Sequence, residues 1–164
     1  MFRFFNFFLE LKTINEELKN IIWQTDRLPH ILNLFSRLGF ALYFFFDNVD
    51  ILASIKVLTL DKKPWVQRGN FCWYIALLFA LMKDLYELNK CYSKKTTTPE
   101  EKLDNQRQIL KIFLGVVAKL GDLPSAAAGS GLTSKYLGGG YSELTMSIGG
   151  LTSACIGLYQ MWSK

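Results

Sequence analysis

The final stretch of the chain, residues 144–162, contains no charged residue, although charges are scattered through most of the sequence. Glu143 precedes this stretch and Lys164 follows it. Nineteen residues in an α-helix extend about 28 Å, which is close to the thickness of the hydrocarbon core of a bilayer. The stretch therefore predicts a C-terminal transmembrane helix. A helix buried in a soluble helical bundle is the alternative.

Small residues in this stretch recur at every fourth position, at Gly149, Ser153 and Gly157. Residues four apart lie on the same face of a helix. Inside a membrane, a face of small residues lets two helices approach closely. These three positions are therefore predicted to form a helix-contact face, through which copies of the chain would associate.

The composition is intermediate between that of a soluble protein and that of a protein with many membrane spans. Half of the 164 residues are hydrophobic, thirteen are phenylalanine, and the mean hydropathy is +0.15. These values favour one or two spans together with helices that lie on a membrane. The net charge of +5 suits an anionic membrane surface. Because the basic residues are scattered and no nucleic-acid motif occurs, no nucleic-acid partner is predicted.

The first segment has the pattern of an amphipathic helix. Its polar positions carry charges of both signs, so it can either lie in a membrane interface or pack on partner helices. The phenylalanines tilt the prediction slightly towards lipid, since exposed aromatic side chains are otherwise a liability. The apolar residues that share one face are Phe4, Phe7, Phe8, Leu11, Ile14, Leu18, Ile21 and Ile22.

Turn and capping signals divide the rest of the chain, and no strand periodicity occurs. Thr98, Pro99 and Glu101 have the spacing of a capping box at a helix start. We predict a single all-α domain over residues 1–164 with about five helices. Its predicted parts are an amphipathic helix (1–24), a helical pair (31–90), a linker (91–98), a helix (99–121), a glycine-rich loop (122–143) and the transmembrane helix (144–162).

The sequence offers no arrangement that is typical of catalysis. His30 is the only histidine, and the three cysteines lack the spacing of a zinc site. The glycines at 138–140 are neither preceded by a strand pattern nor followed by the Lys-Ser/Thr pair of a phosphate-binding loop. We therefore predict a protein that is not an enzyme and that uses neither a metal nor a cofactor.

Three segments resemble those of the peroxin-11 family, in the same order along the chain. Residues 37–48, RLGFALYFFFDN, resemble the family's R-x₅-Y/F-x₃-D-N helix, and residues 119–126 resemble its D-L-P-x-A segment. Residues 156–162 resemble its final glycine-bearing membrane helix. The residues that match the first two motifs are Arg37, Tyr43, Asp47 and Asn48, and then Asp122, Leu123 and Pro124.

This resemblance implies an integral protein of the peroxisomal membrane with its termini towards the cytosol. Members of the family elongate the membrane and promote the proliferation and fission of peroxisomes. They self-associate and help to assemble dynamin-type fission machinery, and some are proposed to form metabolite pores. Family members carry a longer region before the first motif than residues 1–30. The chain is therefore expected to be a truncated product or to retain the remodelling helix within its first segment.

A physical mechanism accompanies the resemblance. Phe4, Phe7, Phe8 and Leu11 would form a wedge that inserts into one leaflet, expands it and favours curvature. Two alternatives stay open. A pore would need hydroxyl groups facing a lumen, for which Ser147, Thr152 and Ser153 are the candidates, and a soluble helical adaptor would bury the C-terminal helix in a bundle. The candidate positions for a pore and for an adaptor therefore lie in the same C-terminal stretch.

Overall fold

In the computed structural model, residues 4–136 and 140–162 are described, and within them the chain forms six α-helices and no strand. The all-α prediction is thus confirmed, with one helix more than expected. The helices are α1 (Phe4–Trp23), α2 (Leu28–Ser54), α3 (Lys62–Ser93), α4 (Pro99–Gly129), α5 (Leu132–Tyr136) and α6 (Glu143–Trp162).

The long helices pack in chain order, each antiparallel to the one before it. Within the described ranges, α1 packs on α2, α2 on α3, α3 on α4, and α4 on both α5 and α6, while α1 touches no other helix. Short loops between consecutive helices favour this antiparallel order. The result is an open row of helices, since α1 and α6 do not meet to close it.

The open row leaves little of the chain inside a core. The accessible surface is 11299 Å². A compact monomer of 18.8 kDa would expose roughly 8,300 Å² by the usual scaling with mass. Among the described residues, the buried apolar side chains are few and mostly small, such as Ala76, Ala80 and Ala126. The fold therefore keeps large apolar side chains on its surface.

Close backbone approach joins α2 to α3 at Gly39. A Cβ placed on Gly39 would lie 2.8 Å from the Cβ of Ala76 and 3.0 Å from the backbone oxygen of Cys72. Those separations are shorter than carbon–carbon and carbon–oxygen contacts allow, so only glycine fits here. Close packing at this point lets the aromatic rings of Tyr43 and Trp73, on the same two helices, stack 5.7 Å apart.

Local signals set several helix ends as the sequence predicts. The Thr98 hydroxyl accepts a hydrogen bond from the backbone N–H of Glu101, and the Glu101 carboxylate accepts one from the N–H of Thr98. This capping box starts α4, with Pro99 in its first turn. Asp61 caps α3 in a similar way by accepting from the N–H of Lys63.

The second half of α4 differs from the prediction of a helix that ends at Gly121 and a loop over 122–143. The helix continues through Pro124 to Gly129, and α5 follows. Proline removes only one backbone hydrogen bond, the one to the carbonyl of Leu120. Packing on this segment outweighs that loss, since Ala126 and Ala127 are buried. Of the predicted loop, residues 137–139 lie outside the described ranges.

The prediction of a C-terminal transmembrane helix is wrong. None of the described helices is both long and apolar enough to cross a membrane. Although α6 is free of charge after Glu143, its glycine, serine, threonine and glutamine residues dilute the apolar content below that of a spanning helix. Instead, α6 packs along α4 of the same chain.

Candidate membrane-contact and helix-contact surfaces

A row of apolar side chains runs the length of α2 on a side that no other helix covers. Its members are spaced alternately four and three residues apart, which keeps them on one helix face. In a soluble bundle such a row would face inward. Here it is exposed or half-buried, and we call it the α2 stripe: Ile31, Phe35, Leu38, Leu42, Phe45, Val49 and Leu52.

A similar row lies on α1 and contains part of the predicted wedge. Phe8 is 53% exposed and Leu11 is 43% exposed. Phe7 is half-buried because its ring packs against that of Phe45 on α2, with centroids 6.3 Å apart. The side chain of Phe4 lies outside the described part of the structure. The α1 stripe comprises Phe8, Leu11, Leu18 and Ile22, all exposed.

Ring contacts join the stripes of neighbouring helices into one surface. Phe7 touches both Phe8 of the α1 stripe and Phe45 of the α2 stripe. Phe35 of the α2 stripe stacks on Phe79 of α3 at 5.2 Å. Phe79 adjoins the α3 stripe, a further four-and-three repeat formed by Phe71, Ile75, Leu78, Met82 and Leu85. We call the three stripes together the apolar face. It contains no charged residue.

Polar side chains join α1 to α2 away from this face. Nη1 of Arg37 donates to both carboxylate oxygens of Glu10, at 3.2 and 3.3 Å. The carboxylate of Glu17 accepts from Asn33 at 2.7 Å and bonds Nδ1 of His30 at 2.8 Å. Arg37, a family-motif residue, therefore fixes how α1 lies on α2.

The other residues of the first motif lie on or beside the contact between α2 and α3. Tyr43 stacks on Trp73, and a Cβ placed on Gly69 would lie 3.8 Å from the Tyr43 ring. Asp47 lines a small cavity of about 80 Å³ that lies between α2 and the start of α3. Asn48 is half-buried on the same helix. The motif thus acts in positioning α1, α2 and α3 relative to one another.

The second motif residue Asp122 and two of the predicted contact residues meet where α4 crosses α6. Gly121 and Gly149 face each other so closely that a Cβ on either would collide with the backbone carbonyl oxygen of the other. The Ser153 hydroxyl donates to the Asp122 carboxylate at 2.8 Å. Gly149 and Ser153 therefore contact α4 within the chain, whereas Gly157 has no atom within 4 Å of its Cβ position.

Burial raises the pKa of the Asp122 carboxyl above its usual value, while the hydrogen bond from Ser153 offsets part of that effect. A carboxyl whose pKa is higher in the folded state binds more protons when folded. Its contribution to stability is therefore present below its unfolded pKa of about 3.9 and is lost as the pH rises through the folded value.

Replacing Asp122 with Asn should remove this pH dependence. The amide keeps an oxygen that accepts from Ser153 but cannot ionise. We expect Asp122→Asn to melt at nearly the same temperature as the wild type near pH 4, and at a higher temperature above the raised pKa. Thermal denaturation of both proteins between pH 4 and 8 measures the difference. A difference that does not change with pH would contradict the assignment.

The side of α6 that points away from α4 carries its own apolar row. A four-and-three repeat again places it on one face. Most of its members are more than half exposed, and Trp162 reaches 91%. This α6 stripe comprises Leu144, Ile148, Leu151, Cys155, Leu158 and Trp162.

The hydroxyl groups considered for a pore point around α6 in different directions. The Thr152 hydroxyl donates to the backbone oxygen of Ile148, and that of Ser153 donates to Asp122. Ser147 is exposed, and it lies about 140° around the helix from Thr152 at 100° per residue. These three residues do not line a common lumen.

The stripes are present in the sequence, but the predicted wedge and helix-contact face depend on its phenylalanines and small residues instead. The four-and-three spacing on α2 and α6 is visible in the sequence alone. It does not reveal whether a stripe faces inward or outward, since both patterns look the same before packing is known. Within residues 4–136 and 140–162, no group of three or more His, Cys, Asp or Glu is placed to hold a metal ion.

Comparison with known proteins supports the resemblance seen in the motifs. The family model for peroxisomal biogenesis factor 11 (PEX11) matches residues 1–162. The chain is 24% identical over 150 residues to peroxisomal membrane protein PMP27 of Saccharomyces cerevisiae, an alignment that covers 84% of this chain. It is 29% identical over 69 residues to peroxisomal membrane protein 11A of Homo sapiens, covering 42% of this chain.

The chain spans only part of these relatives, 64% of the yeast protein and 28% of the human one. No solved structure matches it. The family model nevertheless extends over almost every residue, including all the motif positions from Arg37 to Pro124. The peroxin-11 resemblance is therefore confirmed, and the chain belongs to the peroxisomal biogenesis factor 11 (PEX11) family.

Proposed function

We propose that this chain is a protein of the peroxisomal membrane that promotes membrane elongation, and with it the proliferation and fission of peroxisomes. Both relatives are named as peroxisomal membrane proteins, and the family is one of peroxisome biogenesis. The observation that carries the proposal is the apolar face, which spans three consecutive helices. An apolar surface of this extent on a soluble monomer would be a liability unless lipid or a partner covers it.

The mode of membrane contact follows from the open row of helices. Helices that lie in the plane of the interface bury their apolar sides among the acyl chains and keep polar groups in water. Glu10 pairs with Arg37, and Glu17 with His30, off the apolar face, so binding does not require the desolvation of these groups. A layer inserted into one leaflet expands that leaflet, which favours curvature and tubule growth.

The exposed part of the wedge is the part proposed to drive remodelling. Phe8 and Leu11 lie on the outermost helix of the row, while the α2 and α3 stripes provide the remaining apolar area. We expect Phe8→Glu with Leu11→Glu to lose most tubulation, seen by electron microscopy, when compared with the wild type at equal amounts of vesicle-bound protein. In cells, the tagged variant should overlap a peroxisomal marker without elongating the organelle.

The control for this pair is Asn6→Glu with Asn20→Glu, two polar positions on the same helix that lie more than 100° around it from every residue of the α1 stripe and that change the net charge equally. This variant should still form tubules. Tubulation that survives the Phe8 and Leu11 changes would contradict the wedge. Wild-type protein that does not overlap the peroxisomal marker would contradict the proposed location.

Self-association is the second part of the proposed function. The α6 stripe lies at the open edge of the row, and its four-and-three repeat matches the spacing that two helices need to interlock. We expect Leu151→Glu with Leu158→Glu to convert an oligomer into a monomer in analytical ultracentrifugation. Changing the exposed residues Ser54 and Ser93, which lie outside α6, to Glu should leave the mass unchanged, and equal masses for both variants would contradict this surface.

Dynamin-type fission machinery is the remaining proposed partner. It rests on family membership alone, and no described surface is assigned to it.

A further inference from the structure

Residues of α3, α4 and α5, together with Tyr141, line an open pocket that the contacts described above do not use. Its volume is about 580 Å³, within the range of roughly 300 to 1,000 Å³ that is usual for ligand sites. The family-motif residues Leu123 and Pro124 form part of its wall, one step along α4 from Asp122. The apolar lining residues are Phe71, Leu120, Leu123, Pro124, Ala127 and Leu132.

Hydroxyl-bearing side chains complete the lining. Tyr74, Thr133, Tyr136 and Tyr141 contribute to it, and none of the described lining residues is charged. Just outside, the ammonium group of Lys135 lies 5.3 Å from the centre of the Tyr136 ring. A ligand in the pocket would therefore meet hydroxyl groups in the lining and a positive charge beside Tyr136, with no carboxylate in the lining to oppose an anion.

The pocket is continuous with the apolar face. Phe71 belongs to the α3 stripe and also lines the pocket, where it is 46% exposed. Leu120, on the α4 side, is about half exposed. An acyl chain that leaves the leaflet under the apolar face can therefore enter the pocket along apolar side chains without crossing a polar barrier.

We propose that this pocket takes one acyl chain of an anionic membrane phospholipid, with the phosphate placed beside Lys135. The site rests on the proposed membrane contact, since the lipid comes from the membrane under the apolar face. When one acyl chain leaves the leaflet and enters the pocket, the α3–α4 part of the row binds that one lipid molecule. It would also fill a cavity next to the α4–α6 crossing at Gly121.

Photocrosslinking tests the site in the full chain. The probe is phosphatidylglycerol with a diazirine in one acyl chain, incorporated into phosphatidylcholine vesicles, and mass spectrometry locates the crosslinks. We expect crosslinks on Phe71, Leu123 or Ala127. Ala127→Trp, which fills the pocket, should lower them about tenfold, the loss that corresponds to about 1.4 kcal/mol. Leu110→Trp, an exposed position on the same helix outside the lining, should not.

A second variant keeps the test valid if Ala127→Trp disturbs folding. Lys135 is exposed, so Lys135→Glu leaves packing intact while reversing the charge at the mouth. It should lower pocket crosslinking of phosphatidylglycerol at least about fivefold, since one basic residue near an anionic surface contributes about 1 kcal/mol. The same diazirine chain on phosphatidylcholine should label the pocket more weakly than phosphatidylglycerol in wild-type protein.

Three outcomes would overturn the proposal. Crosslinks spread over the apolar face and insensitive to Lys135→Glu and Ala127→Trp would remove the pocket as a site. Equal labelling by the two phospholipids would remove the role of charge. Labelling by diazirine-palmitate but not by phospholipid would show that the occupant is a free fatty acid. Vesicle flotation separates these failures from failure of the proposed function, because protein that floats without pocket labelling still contacts membranes.

Discussion

Replacing Leu18, Leu38 and Leu42 with glutamate should reduce binding to anionic vesicles at least about 100-fold. These side chains lie at the centre of the apolar face, on α1 and α2, and are 39–49% exposed. Burying a fully exposed leucine in an apolar environment contributes about 1.5–3 kcal/mol, so three leucines that are a little under half exposed contribute about 2–4 kcal/mol together, against the roughly 3 kcal/mol that a 100-fold change requires. A new carboxylate at each position adds a desolvation cost.

Flotation of the protein with vesicles of phosphatidylglycerol and phosphatidylcholine measures this loss. The control is Ser54→Glu, Thr59→Glu and Ser93→Glu, which changes the net charge equally at exposed positions outside the apolar face. The control should bind within a few-fold of the wild type. Because no replaced leucine is buried, helix content in circular dichroism should stay the same in both variants. Full binding by the leucine variant would mean that another surface contacts the membrane.

Replacing Gly149 with leucine should separate α6 from α4. The new side chain would collide with the backbone of Gly121, and backbone atoms cannot move aside as a side-chain tip can. Overpacking of a core costs about 1–3 kcal/mol even where side chains can adjust, so we expect the loss to lie at or above the upper end of that range. Gly121→Leu should have the same effect from the opposite side of the contact.

The matched control lies two turns further along the same helix. Gly157 has open space where a Cβ would point, and alanine is favoured over glycine within a helix by about 1 kcal/mol. Gly157→Ala should therefore leave α6 in place and stabilise it slightly, whereas Gly149→Ala should destabilise it. Hydrogen exchange of the α6 backbone amides reports the docking. Similar exchange in both alanine variants would contradict the close contact between Gly121 and Gly149.

Most of the features that the sequence did not predict concern which segments contact one another. The helical conformation of most segments was predicted. Residues 144–162 carry no charge because one side packs on α4 and the other is an exposed apolar stripe, and the same pattern suggests a membrane span when no partner is known. Small residues at every fourth position (Gly149, Ser153 and Gly157) indicate close approach of helices, but they do not say whether the second helix belongs to the same chain. In the sequence, Pro124 indicates a helix end. The burial of Ala126 and Ala127, which keeps the helix intact through Pro124, is a property of the packed chain.

Polar pairs between residues distant in sequence were not predicted from the sequence either. Arg37 bonds Glu10 across 27 positions of sequence, and Asp122 accepts from Ser153 across 31. Each motif residue was visible as part of a family pattern, but its partner was not. Charged residues are common on helix surfaces, and no local rule selects which pair will meet. The structure assigns these motif residues to helix positioning, a role that the resemblance alone did not describe.

The sequence by itself determined that the chain is helical, where α4 begins, and which family the chain resembles. Those features depend on short-range physics, in which a threonine caps the next turn and apolar residues repeat with the helical period. Only the tertiary structure decided that the helices form an open row, that α6 packs on α4 through Gly149, and that the stripes of α1, α2 and α3 lie on one surface. Each of these depends on contacts between residues distant in sequence, whose geometry exists only after the helices have packed.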